Sequence, residues 1–341
     1  MLNRIVIRRA GTVALAVAML ALVGCGGDDD EAGGGGPRSG SEVTLRAGVN
    51  EATDPTVAVL MYLPQSITVS EGTTVAWTLA GPEPHSVTFV PAGQTLPPPG
   101  SDESLFAPKP APNDLYDPKI LINSGLLPLG PTKPAPFKVR FDTAGAYSYT
   151  CVIHPGMNGT VNVVKSGDTD TQTEITARGD AELAQWSKEG LDAKRALAAK
   201  PVVSTRNADG TTTWTFEMGT TTAHTDILAF APDIAPIKPG DRVTFVNSSA
   251  APHTATFAGT TTLPQSPTDP KVAAPAKGPS PQTLNATEFF NTGLLPPNAP
   301  AAAAPPLAAR SFTFVVPAAG NYTFVCLLHA TSGMAGVLRV A

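Results

Sequence analysis

One feature limits this 341-residue chain more than its composition does: a long stretch of it is written twice. "YLPQSITVSEGTTVAWTLAGPEPHSVTF" (62–89) aligns with "FAPDIAPIKPGDRVTFVNSSAAPHTATF" (230–257). Pro64, Gly72 and His85 match Pro232, Gly240 and His253, each 168 residues further on, and "NSGLLP" (123–128) returns as "NTGLLP" (291–296) at the same offset. The offset then becomes 175, so that Gly145, Tyr147 and Cys151 meet Gly320, Tyr322 and Cys326. The seven additional residues fall in "PNAPAAAAPPLAAR" (297–310), a low-complexity stretch of loop character. A unit that recurs this way must fold the same way twice, so the halves are expected to be duplicated domains rather than halves of one fold.

Within each copy the pattern is β. "SITVSEGTTVAW", "KVRFDTAGAYSYTC" and "SFTFVVPAAGNYTFVC" alternate apolar and polar residues around Gly-containing turns. Short strands with such turns predict antiparallel sandwiches. The 35 prolines and 31 glycines argue against a mainly helical chain. Proline-rich segments such as 91–114 read as surface loops. The exception is "GDAELAQWSKEGLDAKRALAAK" (179–200), rich in helix formers, with acids early and bases late, as the helix dipole favours. It predicts an inter-domain helix, with Leu183, Trp186, Leu191 and Leu197 as a loose apolar stripe, and needs no role beyond that of a spacer. Met61, Met218, Trp77 and Trp214 lie in alternating strands and are expected to pack in the core.

The N-terminus reads as an export signal. Arg4, Arg8 and Arg9 precede the apolar run "AGTVALAVAMLALV", which is too short for a membrane span. The run ends in "LVGC", which resembles a bacterial lipoprotein signal, with Cys25 the residue lipidated after cleavage. Removing residues 1–24 removes three arginines and no acids, so the net charge goes from −5 to −8. Four acids lie in "GGDDDEAGGGGPRSGS" (26–41), a flexible tether. With no basic run in the body, nucleic-acid binding is disfavoured. The resulting division is a signal peptide at 1–24, a tether at 25–42, domains at 43–165 and 207–341, and a linker with the helix at 166–206.

The chemistry-bearing residues are few, and they repeat. Copy one offers His85 and then "CVIHPGM", with Cys151, His154 and Met157. Copy two offers His253 and then "CLLHATSGM", with Cys326, His329 and Met334. Two imidazoles, a thiolate and a thioether suit copper, and a weak axial methionine marks electron-transfer copper sites. The expected arrangement has the cysteine closing one strand, the methionine opening the next, and the early histidine arriving from a neighbouring strand end. Two alternatives stand beside this. A Cys151–Cys326 disulfide fits an exported protein but leaves the histidines and methionines unexplained. Zinc takes Cys and His, but methionine serves it poorly.

These residues resemble the cupredoxin family, of the plastocyanin and amicyanin type. "YSYTCVIHPGMNG" (147–159) is similar to the short amicyanin ligand loop, and "YTFVCLLHATSGMAGVLRV" (322–340) to the longer plastocyanin loop. "PHSVTF" (84–89) and "PHTATF" (252–257) resemble the segment that supplies the first histidine. The resemblance implies an all-β chain of two tandem Greek-key β-sandwich domains, joined by a short helical linker, with one copper in each. It also implies that His154 and His329 sit near the surface as the route for electrons. Ser86 and Thr254, which follow the first histidines, would tie down the cysteine loops. Asn247 stands where copy one has Leu79, so hydrogen bonding around the two sites should differ.

Electron transfer is the function this implies: two blue copper sites exchanging single electrons with a transiently docked redox partner, outside the cytoplasmic membrane. Unequal loop lengths predict unequal axial contacts, and from them unequal potentials. Copper oxidases and nitrite reductases also combine cupredoxin domains, but they need further histidines. Only His224 of the five here is uncommitted, so no enzyme activity is expected. A copper-holding or copper-delivery protein is the alternative. It lacks the open Met- or His-rich segments expected of a carrier that releases its ion.

Overall fold

The computed structural model describes residues 40–97, 103–127, 135–264, 269–275, 281–298 and 307–341. The proposed signal, most of the tether and Cys25 lie outside them. The first copy supplies strands β1 (Glu42–Asn50), β2 (Val57–Leu63), β3 (Ser66–Ser70), β4 (Thr73–Leu79), β5 (Thr88–Phe89), β6 (Ile122–Asn123), β7 (Phe137–Phe141), β8 (Gly145–Thr150) and β9 (Asn158–Val164). After helix α1 (Gln172–Ala198) the second copy supplies β10 (Val203–Arg206), β11 (Thr212–Thr221), β12 (Thr225–Ala231), β13 (Arg242–Asn247), β14 (Thr256–Phe257), β15 (Gln282–Thr283), β16 (Phe290–Asn291), β17 (Ser311–Val315), β18 (Gly320–Val325) and β19 (Ala335–Val340).

The architecture is mostly β, with sandwich-like packed sheets. The first copy's own sheet runs β3-β9-β8-β5-β6 and the second's β16-β14-β18-β19. The facing layer is shared. A single ten-stranded sheet runs β15-β17-β13-β11-β12-β2-β1-β4-β7, with β10 beside β11. The copies join where β2 meets β12 antiparallel, with Ala58 opposite Asp226. Those two residues are repeat equivalents, 168 positions apart, so a local two-fold passes through the pair. Equivalent backbone bonds flank it: Leu60 N–H donates to His224 O (3.0 Å) and Leu228 N–H to Thr56 O (2.8 Å). This is the self-complementary contact of a two-fold dimer, formed here within one chain.

The sequence of β2 reflects that position. "VAVLMYL" is apolar throughout and buried at every residue, as expected of a strand covered on both faces. Tyr62 enters the first copy's core, while Ala58 and Leu60 enter the second's. Val57, Val59, Met61 and Leu63 face away from both cores and meet α1 through Leu197 and Trp186. Each such side chain contributes about 1.5–3 kcal/mol when fully buried. Of the four expected packing residues, Met61, Met218 and Trp77 are buried. Trp214 is half-buried and donates its indole N–H to Asp241 (2.9 Å).

The linker holds the expected helix. Helix α1 has 27 residues and starts seven positions before the expected one. Its start is set by a capping box, in which Thr171 and Glu174 each satisfy the other's backbone N–H. Composition alone misses this, because "QTEITARG" is not rich in Ala or Leu. The helix packs on β1, β2 and β12, and so spans the seam. Gly179 and Gly190, about three turns apart, make that approach possible. A Cβ on Gly179 would sit 3.0 Å from the Leu63 backbone, and one on Gly190 would overlap Val57.

Gly190→Ala sets two effects against each other. Helix propensity gains up to about 1 kcal/mol, while overpacking against a stiff, buried valine costs about 1–3 kcal/mol. A net loss of stability is expected, read as a lower urea midpoint with an unchanged m-value. A rise in the midpoint would show that α1 is not clamped to the seam.

Candidate metal centres

Both sites are built the same way. The first histidine leaves the end of β4 or β13 and is pinned by a short backbone bridge, His85 to Leu127 and His253 to Leu295. These leucines belong to the repeated hexapeptide, which thereby acquires a role. Val87 N–H donates to Ser124 Oγ (2.8 Å) and Ala255 N–H to Thr292 Oγ1 (2.9 Å). The chains Ser86–Thr88–Asn123 and Thr254–Thr256–Asn291 are hydroxyl relays ending on an amide oxygen.

The cysteine ends β8 or β18, and the methionine precedes β9 or β19. Cys151 N–H donates to Met157 O, and Cys326 N–H to Met334 O, each at 3.0 Å. The two loops therefore close identically despite their different lengths. A 3-10 turn at Ala330–Ser332, followed by Gly333 at φ +92°, absorbs the additional residues. Ser86 and Thr254 do tie these loops down. Their hydroxyls accept from Val152 N–H and Leu327 N–H (both 2.9 Å), and their own N–H groups donate to the Cys151 and Cys326 sulfurs (both 3.4 Å).

The donors converge. His85 Nδ1 and His154 Nδ1 lie 3.0 Å apart, and Cys151 Sγ lies 3.6 Å from His154 Nδ1. In the second copy His253 Nδ1 and His329 Nδ1 are 3.0 Å apart, with Cys326 Sγ 3.7 and 3.3 Å from them. A first-row metal bound at about 2.0–2.3 Å in the centre of three such donors would hold them about 3.6 Å apart. The residues fit a metal held by two imidazoles and a thiolate. Both cysteines are free thiols, so the disulfide alternative is not realised. Met157 and Met334 are fully buried, each in the same cluster as its cysteine.

Two glycines that sequence reasoning missed complete the cages. Gly48 and Gly219 sit at bulges in β1 and β11, with φ of +62° and +70°. A Cβ on Gly48 would overlap the His85 ring, and one on Gly219 would lie 2.9 Å from His253 Nε2. Each thus backs the far side of an imidazole whose Nδ1 faces the donor set. The available signal was a glycine inside an alternating strand at matching places in both copies, which marks a bulge or a close approach.

One expectation fails. The loop histidines are not near the surface: His154 is 5% exposed and His329 4%. The β2–β12 seam brings the ligand loops of the two copies against the opposite half. His154, Pro155 and Met157 face Thr221, Thr222 and His224 across a small cleft. Glu83 of the first copy reaches the second site, where its carboxylate lies 3.2 Å from His329 Nε2 and accepts from Ser332 Oγ (2.6 Å). His224 stacks on Trp186 (centroids 4.8 Å apart) and bonds Glu189 (2.9 Å), outside both donor sets.

Electrostatics differ between the sites. Burial, reinforced by the neighbouring loop imidazole, holds His85 and His253 well below the ordinary imidazole range, leaving neutral rings with Nδ1 lone pairs to offer. Burial also lowers His154, to about 4, against a pull from Glu83. At His329 burial works in the same direction, but the Glu83 carboxylate and the Cys326 sulfur outweigh it and hold the ring well above its usual value. Burial raises the Cys151 thiol, and backbone N–H donors only partly offset this. It opposes ionisation of Cys326 too, yet His329 tips that thiol below its ordinary value. Asn247, where copy one has Leu79, donates to Ala251 O (2.8 Å) and bonds Leu295 and Pro296 carbonyls, a brace without a counterpart in the first site.

Residues 49–164 match the model of the copper binding proteins of the plastocyanin/azurin family. Over these residues the chain is similar to the cupredoxins. A plastocyanin of Scenedesmus fuscus is 27% identical over 128 residues, 36% of this chain and 99% of the relative. Among solved structures, amicyanin from Paracoccus versutus is 21% identical over 36% of this chain and 81% of its own, with a TM-score of 0.23. The Cu(I) form of an amicyanin point mutant is 20% identical over 37% and 85%, with a TM-score of 0.24. The cupredoxin family binds copper, and each His-Cys-His group here has the donors to hold one ion.

Gly48→Ala tests how the first cage is built. It should weaken copper binding at that site by roughly 10–100-fold and leave the second unchanged, in titration against a competing chelator. Equal affinities in variant and wild type would show that His85 tolerates the added methyl group.

Proposed function

We propose that this chain is a two-copper electron carrier, built from cupredoxin domains at 43–165 and 207–341, each holding one type 1 blue copper. His85, Cys151, His154 and Met157 would hold one ion, and His253, Cys326, His329 and Met334 the other. The observation that carries the reading is the pair of buried donor triangles at matching places in a duplicated fold. Bound copper supplies one-electron cycling between Cu(I) and Cu(II). The protein's contribution is rigidity: strand ends, closed loops and hydroxyl relays hold the donors, so they need not move when the charge of the ion changes. Burial also excludes water and competing ligands, which favours a retained ion over a delivered one.

The reading as a carrier rather than an oxidase or reductase rests on the histidines, since the fifth, His224, is engaged with Trp186 and Glu189. Its redox partner is a protein that docks transiently. The N-terminal signal and Cys25 support export and anchoring by lipid to the outer side of the cytoplasmic membrane, or in the periplasm, with the acidic glycine-rich segment as tether. Replacing Cys25 by Ser should release the exported protein from the membrane fraction, and retention there would count against the anchor.

The decisive measurement is metal content with the visible spectrum of the soluble body. Two coppers per chain and an intense blue colour are expected. Cys151→Ser and Cys326→Ser should each abolish one blue centre and spare the other. A protein that stays colourless with excess copper under oxidising conditions ends the proposal.

A further inference from the structure

Glu83 is a buried carboxylate whose closest polar contacts lie in the other copy. It is 3% exposed, and both of its oxygens are committed across the seam, one to His329 Nε2 at 3.2 Å and the other to Ser332 Oγ at 2.6 Å. An anion is costly to bury without partners, and here the partners are a proposed ligand of the second site and a residue of its loop. The repeat gives no second example. The equivalent position, 168 residues on, is Ala251, which has no side chain to reach His154.

The position of Glu83 in the chain adds the second half of the argument. It stands two residues before His85, a proposed ligand of the first site. A route therefore runs from the His329 ring, across one 3.2 Å ion-pair contact, into Glu83, and on through Pro84 to His85. It contains one non-covalent step and otherwise only covalent bonds. Electronic coupling decays far less along bonds and short hydrogen bonds than across van der Waals gaps. Both loop histidines are buried at the seam, which places His329 against this internal path.

We infer that Glu83 is an electron bridge between the two copper sites, making them a single relay within one chain. This rests on the blue-copper reading proposed above. The step is a one-electron exchange. Copper held by His85, Cys151 and His154 and copper held by His253, Cys326 and His329 would exchange one electron, one being oxidised as the other is reduced. No covalent bond is made or broken, and the His329 Nε2 proton stays on the ring beside the Glu83 carboxylate. Glu83 is a positioning and coupling residue and does not itself bind the metal.

The test uses the two-copper protein, partly reduced by a radiolytic pulse, with each site's absorbance assigned from Cys151→Ser and Cys326→Ser. The wild type should show a re-equilibration phase whose rate is independent of protein concentration. Glu83→Ala, which removes the bridge, should slow that phase roughly tenfold or more while both blue bands persist. Glu83→Gln keeps an oxygen that can accept from His329 and should retain a rate close to wild type, which a merely structural loosening of the seam does not predict. A Glu83→Ala rate within about twofold of wild type overturns the bridge, and so does a Glu83→Gln protein as slow as Glu83→Ala. Fewer than two blue coppers in the wild type would overturn the underlying reading, and this is seen at loading, before any kinetics.

Discussion

The backbone pairing of β2 with β12 is the contact on which the rest of the molecule depends. It converts two sandwiches into one shared layer and turns their ligand-bearing ends toward each other. It also creates the doubly covered strand that α1 must shield. Antiparallel pairing of equivalent strands is self-complementary, so one set of hydrogen bonds serves both copies. The apolar run in β2 follows from that geometry, because a strand with a core on one face and a helix on the other has no solvent side to keep polar.

A duplicated frame holds two sites that differ in detail. Near the local two-fold, Ala58 faces Asp226, and Glu83 has Ala251 as its counterpart. A buried carboxylate contributes near its partner and would be destabilising without one. Each acid accordingly has its own set of hydroxyl or imidazole neighbours: Ser249 and Thr221 for Asp226, His329 and Ser332 for Glu83. The result is a first site in which burial pushes the loop imidazole down and the Cys151 thiol up from their ordinary values. The second has a loop imidazole polarised by an acid on one side and a sulfur on the other. The symmetry belongs to the backbone and the asymmetry to a few side chains at the seam.

Much of this was legible in the residues. The donor sets, the β character and the duplication follow from local patterns, because ligand type and alternation are properties of short segments, whereas the bracing roles of Ser86 and Thr254 came from the resemblance to the cupredoxins. Gly48 and Gly219 were visible as glycines in strands, but their purpose depends on a histidine that arrives from the end of a different strand. The helix was found with its start misplaced, since Thr171 and Glu174 act as a cap through side-chain geometry rather than composition.

By itself the sequence determined what each copy is made of and which side chains gather at each candidate metal centre, because those contacts lie within a repeating unit. It did not determine that the units share a sheet, that His154 and His329 are buried, or that Glu83 of one copy serves a histidine of the other. Those facts depend on which strand edges meet. Edge pairing is decided by backbone groups that every residue carries alike, together with the shape complementarity of two assembled surfaces, so the apolar run of β2 marks a strand covered on both faces without naming the edge it meets.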